Sequence, residues 1–74
     1  MPKLRPAKPR DVCRVLEKLG YSLIRQSGSH AVYRHPDGQW TTVPMHKGKD
    51  VALGTLRKIL KDINITIEDF EQIR

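Results

Sequence analysis

Three histidines, His30, His35 and His46, are the side chains of this 74-residue sequence best suited to moving protons near neutral pH. An unperturbed imidazole changes charge close to pH 6.5. Their settings differ. His30 follows Ser27-Gly28-Ser29 in "QSGSHAVYRH" (26–35), at the start of a strand-like run. A glycine there lets the backbone turn tightly, and the amides of such a turn, with a serine hydroxyl, can donate to an anion. His46 lies in "VPMHKGKD" (43–50) beside Lys47 and Lys49, and His35 abuts a Pro-Asp-Gly turn. A strand histidine is ordinarily a half-exposed polar residue. The alternative is a proton-transfer group, with Arg25 and Arg34 on the flanking strands and with Gly28 and Ser29 serving either as a phosphate-holding turn or as a plain hairpin connection. His46 reads as a second proton-transfer or binding group, or as a loop histidine hydrogen-bonded near a helix start. His35 reads as solvated.

Charge says what such a site would meet. Residues 1–61 hold 13 basic and 4 acidic side chains, or +9, whereas residues 62–74 hold 1 and 4, or −3. An excess of that size on a small domain is the electrostatic footprint of a nucleic-acid binder, with a merely soluble basic surface as the bland alternative. The lone Cys13 cannot close an internal disulfide and falls on a helical apolar stripe, so it reads as core. Cys13 and the three histidines show no paired ligand spacing, and no metal or cofactor is expected. No apolar run reaches membrane-spanning length, and a cytoplasmic protein with no membrane partner is the default expectation.

These residues must be positioned by few elements, because one domain of 1–74 is near the lower size limit for a self-sufficient core. Residues 1–8 form a basic, proline-rich arm expected to be extended, and 9–74 the folded part. Pro9 suits a first helical turn. Val12, Val15, Leu16 and Leu19 make one helical stripe that Gly20 can cap. Residues 21–26, 30–35 and 39–44 are short β-forming runs separated by Ser-Gly-Ser and Pro-Asp-Gly turns, hence a three-stranded antiparallel meander. Helical spacing returns with Leu53, Leu56, Ile59, Leu60 and Ile63. Asn64 can end that helix, and Thr66 with Asp69 resembles a capping box for a short last one. The fold class is α+β, ordered α-β-β-β-α plus a terminal helix, with helices covering one sheet face. Trp40 and Tyr21 are expected to complete the core rather than stack on bases.

"LEKLGY" (16–21), "RQSGSHAVYRH" (25–35), "TTVPMHKGKDVALGTLRKIL" (41–60) and "IEDF" (67–70) resemble, in order and spacing, the HicA-type (HicA/YcfA-like) mRNA interferase toxins of bacterial toxin–antitoxin pairs. The resemblance implies a fold like that of double-stranded-RNA-binding domains. It also implies metal-independent endoribonuclease action on mRNA, His30 as the catalytic residue, and neutralisation by a HicB-type antitoxin in a larger complex.

The residues fit that chemistry independently. Cleaving RNA without a metal needs a base for the 2′-hydroxyl proton, an acid for the leaving 5′-oxygen, and positive groups around the phosphate. Gly28, Ser29, Arg25, Arg34, His46, Lys47 and Lys49 are the candidate substrate-binding residues around His30. Strand alternation puts His30, Val32 and Arg34 on one face. If His30 is catalytic that face must be open, which leaves Val32 on the wetter side unless a bulge or edge position shelters it. A non-catalytic RNA-binding module of the same fold is the alternative function.

Overall fold

Pro9 occupies the first turn of α1 (Pro9–Lys18) in the computed structural model, which describes residues 3–74. Its missing N–H is no loss there, since the first helical amides have no partner within the helix. The helix ends where Gly20 takes a positive φ of 96°. Gly20 N–H donates to the Glu17 carbonyl and Tyr21 N–H to that of Leu16, the paired bonds of a Schellman cap. α2 (Leu53–Asp62) closes the same way. Asn64 sits at φ 58°, with Asn64 N–H bonding the Lys61 carbonyl and Ile65 N–H that of Leu60. The expected capping box starts α3 (Ile67–Ile73): Thr66 accepts from Asp69 N–H at 3.0 Å, and the Asp69 carboxylate accepts from Thr66 N–H at 3.3 Å.

Between α1 and α2 lie β1 (Ser22–Ser27), β2 (His30–Arg34) and β3 (Trp40–Pro44), antiparallel in the order β1-β2-β3. The α+β architecture with one extra C-terminal helix is the one expected from the residue pattern. Ala31, Tyr33, Thr41 and Val43 are buried under the helices, and both α1 and α2 pack on β3. Leu16, Leu56, Ile59 and Phe70 fill the space between. Truncating one of these to Ala would cost about 2–5 kcal/mol, a large part of a small domain's stability. The one buried polar side chain of the sheet, Thr41, donates to Asp62 at the end of α2 (3.0 Å) and so ties sheet to helix.

Three residues sit differently from their sequence expectation. Leu53 is 37 % exposed, because it opens α2 before the helix has turned its apolar stripe inward. Trp40 is 59 % exposed: with Thr41 and Val43 pointing at the helices, alternation turns Trp40 outward. His35 is half-buried, its ring 5.1 Å from that of Tyr21 and its Nδ1 accepting from Asp37 N–H (3.1 Å), so it braces a turn. Tyr21 does join the core, its hydroxyl donating to Gln39 (3.0 Å).

The stretch before α1 packs against the domain. Leu4 and Ala7 are buried, Ala7 bridges to Val51, and Val51 N–H bonds the Ala7 carbonyl at 2.7 Å. From α3, Glu71 pairs with Arg5 (3.2 Å), while Arg74 bonds the Pro6 carbonyl (2.7 Å) and Glu71 (3.1 Å). Met1 and Pro2, the first residues of the expected arm, lie outside the described residues.

Candidate active site on the open sheet face

His30 is placed by a hairpin turn. Ser27 and His30 pair across β1 and β2, leaving Gly28 and Ser29 as a two-residue loop. Gly28 has φ 57° whereas Ser29 does not have positive φ, the pattern of a type II′ turn with glycine first. A Cβ at Gly28 would meet nothing within 4 Å, so the glycine answers to its dihedral and not to crowding. Among the described residues the N–H groups of Gly28 and Ser29 donate to no backbone carbonyl, while the Ser29 carbonyl accepts from Met45 N–H. The turn therefore leaves both amides without a backbone partner and is held from behind by the chain leaving β3.

Cross-strand partners share a sheet face. Ser27, His30 and Pro44 form one row on the side away from the helices; Arg25, Val32 and Thr42 form the next; Ser22, Arg34 and Trp40 the third. His30, Arg25, Arg34 and Trp40 are exposed, and Val32 is half-buried. The register shift between Leu23 and Arg25 brings Arg25 opposite Val32 and leaves Ile24 as the bulged residue. Arg25 thus stands one row from the imidazole. Arg34 is four residues along β2, about 13 Å away at strand rise. No strand contributes an acidic side chain, so the face is cationic throughout.

The second cluster lies at the same end of the sheet. Pro44 completes the His30 row, and the chain runs on through Met45 and His46 into a turn closed by Lys49 N–H on the His46 carbonyl (3.2 Å). His46, Lys47 and Lys49 are exposed there. Residues Met45–Asp50 and the start of α1 enclose a groove of about 450 Å³ whose cations are Lys8, Arg10, Lys47 and Lys49. Hence the structure gathers His30, Gly28, Ser29, Arg25 and the 46–49 loop at one end and leaves Arg34 at the other. Lys8 and Arg10 join the loop lysines across a sequence gap of nearly forty residues. Trp40 shares the open face. Val43, inward on the same short strand, is the sequence signal that reveals its direction.

The layer beneath is chemically quiet. Burial pushes the Cys13 thiol and the Tyr33 phenol above their ordinary pKa, keeping both protonated at neutral pH. Cys13 Sγ lies 3.8 Å from Met45 Sδ, so the scaffold contacts the loop through sulfur and carbon rather than through charge. Among the described residues no three His, Cys, Asp or Glu side chains converge as a ligand set. Nor is any helix long and apolar enough to cross a membrane.

Fold and site together define a small α+β domain with one face packed under helices and one open, cationic and histidine-bearing. The chain belongs to the family described as the HicA toxin of bacterial toxin–antitoxin systems, whose model matches residues 9–65, more than half its length. It is thus a toxin of a toxin–antitoxin system. No curated protein matches the chain.

Proposed function

We propose that this toxin is an endoribonuclease that cuts mRNA by proton transfer at His30. One observation carries the reading: an exposed imidazole stands beside two turn amides free of backbone carbonyls, on a sheet face with no acidic side chain. The strand backbone enters between the His30 row and the 46–49 loop. His30 in its neutral form takes the proton of a ribose 2′-hydroxyl, and the oxygen attacks the adjacent phosphorus. The bond from phosphorus to the 5′-oxygen breaks, leaving a 2′,3′-cyclic phosphate and a 5′-hydroxyl once that oxygen gains a proton. His46 is the imidazole suited to supply it. The Gly28 and Ser29 amides and Arg25 hold the phosphate oxygens as charge develops, with Lys47 and Lys49 on the neighbouring phosphates. None of these roles needs a divalent cation.

An antitoxin silences such a site most simply by covering it with acidic groups. We assign that role to a HicB-type partner acting on the open face, in a complex larger than the toxin alone.

The reaction is tested on its products. The RNA fragments should carry cyclic phosphate and 5′-hydroxyl ends, and a 2′-deoxy sugar at the cut site should abolish cleavage there. Cleavage that tolerates the deoxy sugar, or leaves 5′-phosphate ends, would rule the scheme out. RNA binding without any cleavage would make the chain a binding module.

A further inference from the structure

The sole tryptophan of the chain is also the most exposed large apolar side chain among the described residues, at 59 %. An exposed indole presents a flat π face on which a planar ligand can stack. The surroundings say which ligand fits. Trp40 stands in a row with Arg34 and Ser22, on the same open face as His30. Its row-mates are a cation and a hydroxyl, and the one row between it and His30 holds Arg25, Thr42 and the half-buried Val32. Leu23 pairs with Tyr33 and so points to the opposite side, while Ile24, 56 % exposed, bulges out of the ladder beside Arg25. Trp40 is therefore a broad aromatic plane set beside cations on the open face. That suits a flat ligand carrying phosphates better than it suits an apolar protein surface.

We infer that Trp40 is a stacking platform for one unpaired base of the RNA, about 13 Å along the sheet from the bond that His30 cuts. The inference rests on the ribonuclease reading and adds the form of the substrate to it. A base paired inside a duplex has no free face to offer, so the strand lying across β2 must be single-stranded where it passes Trp40. Arg34 beside the indole holds the phosphate that follows, and residues Arg34 to His30 mark the path of the backbone.

Trp40 emission reports this directly, since no other tryptophan contributes. The probe is a single-stranded oligouridylate with 2′-O-methyl sugars, which presents bases but offers no 2′-hydroxyl for attack. Titration into the full chain should quench Trp40. Trp40→Ala should weaken binding about 5- to 150-fold, with Trp40→Phe retaining most of the affinity and both variants matching the wild-type circular dichroism. A duplex of equal length should quench little. Unchanged emission on single-strand binding overturns the inference, as does equal quenching by the duplex or wild-type affinity in Trp40→Ala. So does a Trp40 that responds only to an antitoxin protein. Cleavage of unmodified RNA by the wild type, run in parallel, separates the two claims. A chain that cuts while Trp40 stays silent retains the ribonuclease reading and loses this one.

Discussion

Ser27 and His30 face each other across a two-residue turn, and Pro44 extends their row onto β3. This pairing fixes His30 at the end of the central strand. The Met45 N–H bond to the Ser29 carbonyl holds the same end of the sheet from the β3 side. Position therefore comes from backbone pairing rather than from a side-chain partner. Variants that leave the pairing alone should keep the site's shape.

Gly28 tests that arrangement. Its φ of 57° is costly for an L-residue with a Cβ, by roughly 1–2 kcal/mol. Gly28→Ala should therefore lower the Tm by about 4–16 °C. Gly28→Asn should lose less, because Asn tolerates the left-handed region and the space is open. Equal losses in the two variants would point to crowding instead of dihedral strain. Thermal unfolding followed by circular dichroism makes the comparison.

The groove cations should act through salt. Replacing Lys8, Arg10, Lys47 and Lys49 by Ala, singly, should weaken RNA binding without altering the fold, since none of the four is buried. Each lost phosphate contact should flatten the slope of log affinity against log salt by about 0.7 on single-stranded RNA. Unchanged slopes would take the groove off the substrate path.

Element order was legible because the apolar period switches from helical to strand spacing and back, with Gly20, Asn64 and the Thr66–Asp69 box marking ends. The turn that carries His30 was legible for the same reason. Val32, the awkward residue on the site's face, is half-buried beside the Leu23/Arg25 bulge. Other features depend on where helices land. All six residues of β1 are exposed, Leu23 and Ile24 at 48 % and 56 %, although their types read as core. The reason is that α1 and α2 pack on β3, at the other side of the sheet. Leu4 and Ala7 are the converse. They look like part of a solvated basic arm, and only the bridge to Val51 and the grip of Arg74 bury them. Lys8 and Arg10 meet Lys47 and Lys49 through that same docking, which no local pattern encodes.

Glu71 makes the docking depend on pH. The hydrogen bond from Arg5 and the charge of Arg74 hold its carboxyl below the ordinary range. With the folded-state pKa depressed, its contribution to stability is present above the unfolded carboxylate range and is lost as pH falls from there through the lower folded-state value. Glu71→Gln should therefore lower stability at neutral pH and reduce the wild type's loss between about pH 5 and pH 3. Chemical denaturation at several pH values reads this. Parallel wild-type and Glu71→Gln curves would show that the Arg5–Glu71–Arg74 cluster contributes nothing.

The measurement closest to the centre of the account is RNA cleavage by the purified chain with EDTA present, wild type beside His30→Ala, with folding and RNA binding measured for both. His30 is exposed, so the variant should fold and bind as the wild type does. Its cleavage rate should fall by about a hundred- to ten-thousand-fold, the usual contribution of a general acid–base group. A folded, RNA-binding His30→Ala protein that cuts at the wild-type rate would contradict the assignment of proton transfer to His30.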